Sequence, residues 1–193
     1  ETKLDDEQQL YAKYITESSE QMQLYIRTLI DISQTVTGYQ LHLEDIDLIE
    51  YMKRIESQAN SLCITNGICL HMEIETSERY FKADKLLLER AIMNVIHNAL
   101  DYSPQGGNLY VTAQKADGFL KISVTDEGDG FTPETLYHAK EQFFMGNRSR
   151  NSNLHFGMGL YITSTIVTQH NGQLILENSY ETKGGQVTIK IPY

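Results

Sequence analysis

The segment DEGDGF, which begins at Asp126, has the residue types of a binding loop. It follows FLKISVT, in which apolar and polar residues alternate as in a half-buried strand. A carboxylate at a strand end can accept a hydrogen bond from an exocyclic amine. Gly128 and Gly130 carry no side chain to keep a planar base or a phosphate away from the backbone. Glu127 and Asp129 are interpreted as solvated turn residues, and taken alone the whole segment also suits an ordinary turn.

A second candidate site is the segment NVIHN, in which Asn94 and Asn98 lie one helical turn apart and point the same way. Amide oxygens are suitable hard ligands for Mg²⁺, which prefers oxygen and bridges phosphates. The alternative is a pair of solvated polar residues on an exposed helix face.

A third candidate is HFGMGLYI, where Gly157 and Gly159 precede an apolar helical run. Backbone N–H groups and the positive end of the helix dipole would point toward an anion bound in that loop. Glycines at a helix start are equally typical of packing, so this segment alone does not establish a phosphate site.

The asparagines require a helix to position them, and the sequence predicts one that begins after Asp84 and runs to about Asp101. Asp84 is a suitable N-cap. One face is apolar and the opposite face is polar. The apolar positions are Leu88, Ile92, Val95 and Ala99, and the polar ones are Arg90, Asn94, Asn98 and Asp101, with His97 close to them.

The remaining pattern predicts an α+β fold, a two-layer α/β sandwich in which helices cover one face of a mixed, mostly antiparallel sheet, preceded by one long helix. Helices are predicted over residues 5–38, from Leu48 to about Leu62, after Pro133, and from Gly159 to about His170. Strands are predicted at 68–75, in RYFKA, in LYVTA and FLKISV around an Asp117-Gly118 turn, and in QLILEN and GQVTIKI around Gly184-Gly185.

Together, in this order, the three segments resemble the N, G1 and G2 boxes of the ATP-binding domain of sensor histidine kinases, a Bergerat-type fold shared with gyrase, heat-shock chaperones and MutL. The resemblance covers nearly the whole chain. ADKLLLERAIMNVIHNALDYSP is similar to the N-box helix, and GLYITSTIVTQHNGQLILENS with GGQVTIKIP is similar to the closing helix and strands. QFFMGNRSR resembles the phenylalanine box, with Phe143 and Phe144 in the lid.

The resemblance implies a role for each matching residue. Asn98, and secondarily Asn94, would lie at Mg²⁺ and the phosphates of ATP, and Asp126 would accept the adenine amine. Arg150, with Arg148 close by, falls where a lid arginine would clamp the γ-phosphate; solvated lid charge is the alternative. The other implied nucleotide contacts are Tyr102, Gly128, Gly130, Phe131, Gly157, Met158, Gly159 and Leu160.

Several residues depart from the family pattern. Asp101 stands where histidine kinases usually have a basic residue, His155 replaces the first glycine of the G2 pattern, and Met145 occupies a position that is often basic. The hydrolytic branches carry a glutamate as general base one turn before the metal asparagine, where this chain has Asn94. We therefore expect slow hydrolysis and transfer of the γ-phosphoryl group to another nucleophile.

None of the six histidines lies in the phosphoacceptor motif of the kinases. His97 is the one candidate, with an ordinary structural role as the alternative.

The first helix resembles the second helix of the hairpin that precedes the ATP domain in the family. We therefore expect residues 1–39 to form the second helix of a truncated dimerisation hairpin and residues 40–47 to form a connector. The ATP-binding domain is expected to span residues 48–193, with a lid over about 131–156.

Composition narrows the environment and the partners. The net charge of the chain is -10. Proteins that bind nucleic acid or anionic membranes usually carry a basic surface, so we expect neither as a partner. Cys63 and Cys69 have no metal-ligand spacing and are expected to be free thiols. The chain begins with glutamate, so we expect it to be a piece of a longer protein. The resemblance implies that this piece is the cytoplasmic domain of a membrane-bound bacterial sensor. A phosphoacceptor histidine, a response regulator and a second copy in the intact protein are the expected partners.

Two other functions stay open at this point. A nucleotide-binding pseudokinase module without turnover is favoured by Asp101 and His155. An ATPase of the same superfamily is disfavoured by Asn94.

Overall fold

The computed structural model describes Tyr11 and residues 40–76, 79–138 and 159–193. The chain divides into two compact units, Glu1–Tyr39 and Gln40–Tyr193. Apart from Tyr11, the helix predicted over residues 5–38 lies outside the described residues. The elements below belong to the second unit.

The strands and helices follow the predicted order. The strands are β1 (Leu43–Asp47), β2 (Cys69–Glu75), β3 (Tyr80–Asp84), β4 (Asn108–Ala116), β5 (Phe119–Thr125), β6 (Gln173–Asn178) and β7 (Gly185–Pro192). The helices are α1 (Leu48–Asn66), α2 (Lys85–Tyr102), α3 (Pro133–His138) and α4 (Gly159–Gln169).

Five of these strands form one mixed sheet in the order β2-β4-β5-β7-β6. β2 runs parallel to β4, and the other neighbours are antiparallel. The hairpin between β4 and β5 turns at Asp117 and Gly118, which have φ values of 56° and 77°. Two consecutive positive φ values define the type I′ turn that suits the twist of a two-residue hairpin. The predicted α+β fold with a mixed sheet is confirmed.

The helix α2 forms as its apolar period predicts. Asp84 caps it, accepting a hydrogen bond at Oδ1 from the Leu87 N–H at 3.1 Å. The predicted apolar positions Leu88, Ile92, Val95 and Ala99 are all buried. α2 packs against both α1 and α4, which places one end of the asparagine-bearing face beside the start of α4.

Asp84 also joins two other parts of the fold to the start of α2. Its Oδ2 accepts the His42 N–H at 3.0 Å, and its own N–H donates to His170 Nε2 at 3.0 Å. The other ring nitrogen, Nδ1, lies 2.8 Å from the Ile166 carbonyl oxygen, so the buried imidazole is neutral with its proton on Nδ1. The end of α4 and the strand β1 are therefore both tied to the start of α2.

Two elements differ from the sequence-based expectation in extent or in role. α1 continues beyond Leu62 to Asn66, because Cys63 extends its buried face and Gly67, at φ 67°, supplies the left-handed cap. The segment after Gln40 is extended as predicted, but it pairs with β3 as a second, two-stranded sheet. Residues 43–47 are thus paired within the second unit.

Candidate functional site

Asp126 lies at the end of β5 and is buried. Its Oδ1 accepts hydrogen bonds from the N–H groups of Gly128 at 2.8 Å and Gly185 at 2.9 Å. Among the described residues, every hydrogen bond to this carboxylate ends on Oδ1, so Oδ2 keeps its acceptor capacity. Burial raises the pKa of Asp126, and the two backbone N–H groups oppose that rise. The side chain is therefore a fixed acceptor with one oxygen available for a ligand.

The turn between β6 and β7 holds the main chain of Asp126. Thr182 Oγ1 donates to the Asp126 carbonyl oxygen at 2.7 Å, and the Asp126 N–H donates to the Gly185 carbonyl oxygen at 3.0 Å. A Cβ on Gly184 would collide with the Asp126 carbonyl oxygen and lie 2.6 Å from Oδ1. The close approach explains why residue 184 is a glycine.

We predict that Gly184→Ala lowers the free energy of unfolding by about 3 kcal/mol, because the new methyl group meets main-chain atoms that cannot rotate away. Gly106→Ala is the control: Gly106 has a positive φ but nothing within 4 Å of its Cβ position, so only about 1 kcal/mol of backbone strain is expected. Urea denaturation of both variants measures the difference. Equal losses would contradict the proposed packing.

The glycines of the DEGDG loop are required by contacts within the chain. A Cβ on Gly128 would collide with the carbonyl oxygen of Tyr102, at the end of α2. Gly130 has φ 73°, and its Cβ would lie 2.8 Å from Asn178 Oδ1 and 2.9 Å from the Lys183 carbonyl oxygen. From the sequence, these positions are expected to lack side chains so that a ligand can approach the backbone. In the structure, the chain's own backbone and the Asn178 side chain also require it.

The interpretation of Glu127 as a solvated turn residue is wrong. Its carboxylate accepts hydrogen bonds from the N–H and the side-chain amide of Asn108 and from the Tyr110 hydroxyl. These bonds, led by the Asn108 N–H, lower the pKa of Glu127. Sequence reasoning could not identify this role, because β4 is placed next to the loop only by the register of the sheet. Asp129 is exposed, as expected.

The face of α2 that carries Asn94 and Asn98 lies next to the start of α4. The Asn94 side-chain amide lies 3.5 Å from the Gly159 carbonyl oxygen. Buried Thr163 also links the two helices, since its Oγ1 lies 3.4 Å from the Ala91 carbonyl oxygen of α2 and donates to the Gly159 carbonyl oxygen of its own helix at 2.9 Å. Asn94 and Asn98 are both half-buried. Asn94 and the first residue of α4 thus lie next to each other.

The charges along this face of α2 differ from one end to the other. Arg90, one turn before Asn94, is half-buried, and burial lowers its pKa to about 10, so it stays cationic at neutral pH. Asp101 and His97 are exposed, and Tyr102 is half-buried. Arg90 and Asp101 thus place opposite charges toward the two ends of α2.

Several predicted site residues lie outside the described residues: Phe143, Phe144, Met145, Arg148, Arg150, His155, Gly157 and Met158. The described part of the predicted lid contains Phe131, which is half-buried, and the short helix α3. Leu160 is half-buried in the first turn of α4.

Sequence reasoning missed three residues near the DEGDGF segment: Thr182 and Gly184, which contact Asp126, and Asn178, which bonds to Phe131. The only sequence signal near them is the turn chemistry of residues 179–185, which indicates a reversal of the chain but not what the turn contacts.

The residues present suit Mg²⁺ held by amide oxygens rather than a carboxylate-rich metal centre. In residues 40–76, 79–138 and 159–193, no group of three or more histidine, cysteine, aspartate or glutamate side chains is placed to hold a metal ion. Asn94 and Asn98 supply hard oxygen donors, which Mg²⁺ combines with water and phosphate oxygens.

None of the described helices has both the length and the apolarity needed to cross a membrane.

The sequence is similar to those of sensor histidine kinases. The chain is 35% identical over 188 residues to the sensor histidine kinase SpaK of Bacillus subtilis, covering 97% of this chain and 41% of SpaK. It is 26% identical over 190 residues to the histidine protein kinase DivJ of Caulobacter vibrioides, covering 98% of this chain and 32% of DivJ. The chain thus spans less than half the length of these curated relatives.

Solved structures match the fold. Full-length ShkA in complex with AMPPNP superposes with a TM-score of 0.83 at 21% identity, covering 99% of this chain and 40% of ShkA. The mycobacterial sensor histidine kinase MprB gives a TM-score of 0.64 at 26% identity, covering 77% of this chain and 96% of that structure. The resemblance to histidine kinase catalytic domains is confirmed.

A family model described as histidine kinase-, DNA gyrase B- and HSP90-like ATPase matches residues 83–193, which include α2, the DEGDG loop, α4 and the closing strands. Since that match covers more than half of the chain, the protein belongs to the family of histidine kinase-, DNA gyrase B- and HSP90-like ATPases.

Proposed function

We propose that this chain is the catalytic, ATP-binding part of a two-component sensor histidine kinase. The observation that carries the proposal is the arrangement of two polar regions in one unit. Asp126 lies at the end of β5, and its Oδ2 accepts no hydrogen bond from the described residues. The face of α2 that carries Asn94 lies next to the start of α4. The kinase names of the relatives and the AMPPNP complex of ShkA support ATP as the nucleotide.

Each described residue has a distinct part in the proposed site. Asp126 Oδ2 accepts a hydrogen bond from the exocyclic amine of adenine, which selects adenine over guanine because guanine presents a carbonyl oxygen at that position. The amide oxygens of Asn98 and Asn94 hold Mg²⁺, which neutralises phosphate charge when bound. The N–H groups that begin α4 face the phosphates. Arg148 and Arg150 are proposed as the γ-phosphate clamp.

The proposed reaction is phosphoryl transfer to a histidine. A ring nitrogen of that histidine forms a bond to the γ-phosphorus, the bond from the γ-phosphorus to its bridging oxygen breaks, and ADP leaves. Asn94 stands where a hydrolytic enzyme needs a base, and an amide cannot take a proton from water. Transfer to a histidine is therefore favoured over hydrolysis.

Two of the described histidines are already engaged in hydrogen bonds. His170 is buried with both ring nitrogens engaged, and His71 Nε2 lies 2.9 Å from Asn108 Oδ1. We propose that the acceptor histidine lies outside residues 1–193, in a partner hairpin of the intact sensor. A response regulator would take the phosphoryl group next. The chain would then act on the cytoplasmic side of a membrane-bound, homodimeric sensor.

The test is transfer of labelled γ-phosphate to a separately produced phosphoacceptor hairpin from a relative such as SpaK. We expect acid-labile phosphate on the hairpin, none on this chain alone, and little release of inorganic phosphate. Acid-labile label on this chain would contradict an external acceptor. ATP binding without any transfer would favour a pseudokinase, and steady phosphate release would favour an ATPase.

A further inference from the structure

Asn178, the last residue of β6, makes a reciprocal pair of hydrogen bonds with the main chain of Phe131. The Phe131 N–H donates to Asn178 Oδ1 at 2.6 Å, and Asn178 Nδ2 donates to the Phe131 carbonyl oxygen at 3.0 Å. Both ends of the side-chain amide are used, so only one orientation of the amide satisfies both bonds. The side chain thus pairs with Phe131 as a neighbouring strand would.

The pair is specific to the first residue after the DEGDG loop. Gly130 passes so close to Asn178 that a Cβ there would lie 2.8 Å from Asn178 Oδ1. On the other side, the Lys183 carbonyl oxygen would lie 2.9 Å from the same Cβ. The chain at Gly130 is therefore held between β6 and the turn before β7, and Asn178 determines where Phe131 begins.

The ring of Phe131 lies beside the available oxygen of Asp126. A Cβ on Gly185 would lie 3.0 Å from two carbon atoms at the edge of the Phe131 ring and 2.9 Å from Asp126 Oδ2. The ring edge and the carboxylate oxygen therefore flank the same point on β7. A planar base whose amine donates a hydrogen bond to Oδ2 would therefore contact the Phe131 ring.

We propose that Asn178 is a positioning residue for adenine recognition, which holds the Phe131 main chain so that the Phe131 ring lies beside Asp126 Oδ2. This inference rests on the proposed function, because it assigns a residue to the adenine end of the same site. Asn178 itself need not touch the nucleotide; it acts through Phe131.

Global stability is a weaker explanation for the pair. Asn178 is exposed, and water competes for hydrogen bonds at exposed groups. Asn66 provides a matched comparison, since its exposed side chain donates to the Leu62 carbonyl oxygen at 2.9 Å, at the far end of α1. A purely structural role predicts similar effects of removing either side chain.

The test measures ADP and adenosine affinity of the whole chain by calorimetry. We expect Asn178→Ala to weaken both ligands by the same factor, about 3- to 10-fold, as the loss of a hydrogen-bonded clamp predicts. Equal factors are expected because the change acts at the base. Asn66→Ala should leave both affinities unchanged.

A double-mutant cycle with Phe131→Ala separates positioning from a general loosening of the loop. If Asn178 acts through the Phe131 ring, Asn178→Ala should cost no further affinity once the ring is absent. Additive losses, or wild-type affinity in Asn178→Ala, would overturn the inference while leaving the proposed function in place. No ADP binding by the wild-type chain would instead overturn the proposed function, and this inference with it.

Discussion

Asp126→Asn is expected to weaken ATP binding by about 10- to 100-fold, because a hydrogen bond to a charged group contributes about 1.5–3 kcal/mol. The two N–H groups that Oδ1 accepts from Gly128 and Gly185 can be kept by the asparagine carbonyl oxygen. The amide nitrogen would then replace Oδ2 and present a donor to the donor amine of adenine. Calorimetric titration with ATP and ADP measures the loss.

The same substitution is expected to leave the fold as stable as before or more stable. Burial raises the pKa of Asp126, so ionisation is less favourable in the folded chain than in the unfolded one. Its favourable contribution is fully present below the pKa of an unfolded aspartate, about 3.9, and is lost as the pH rises through the raised pKa. At neutral pH the asparagine variant avoids this cost, so its melting temperature should equal or exceed that of the wild type.

The difference between the two melting temperatures should shrink toward acidic pH, where the wild-type carboxyl becomes protonated. Asp129→Asn is the matched control, since it makes the same charge change at an exposed position of the same loop. We expect that control to bind ATP like the wild type. Unchanged ATP affinity in Asp126→Asn would remove the adenine acceptor from the proposed site.

Asn98→Ala is expected to reduce phosphoryl transfer to the external hairpin by at least about 100-fold, the usual effect of removing one group that stabilises charge in the transition state. The substitution removes an amide oxygen proposed to hold Mg²⁺ at the phosphates. It should not harm α2, because alanine has a higher helix propensity than asparagine. Single-turnover transfer assays give the rate.

ADP binding without Mg²⁺ should be nearly unchanged in Asn98→Ala, since the adenine end of the site is intact. His97→Ala, an exposed neighbour on the same helix, should transfer at the wild-type rate. Loss of transfer in His97→Ala would reopen the possibility that this histidine takes part in the chemistry. Full activity of Asn98→Ala would contradict the proposed metal site.

The local elements were predictable because burial acts at short, regular intervals along the chain. In FLKISVT, Leu120, Ile122 and Val124 face the core from one side of β5. Every second residue of the segment is therefore apolar, and this alternation predicts the strand. The same reasoning, with a helical period, predicted α2 and its Asp84 cap. The end of α1 was predicted too early, since an exposed last turn leaves a weak apolar signal.

The sequence by itself thus determined where the strands and helices form, and it placed the carboxylate at the end of β5 and the asparagine pair on α2. Which residues surround that carboxylate depended on the folded chain, because its partners lie far away in sequence and belong to a turn with no periodic pattern. Gly185 bonds to Asp126 across 59 positions, and Asn178 bonds to Phe131 across 47. Sheet register brings such residues together, and each of these contacts depends on strands that are paired elsewhere in the sheet.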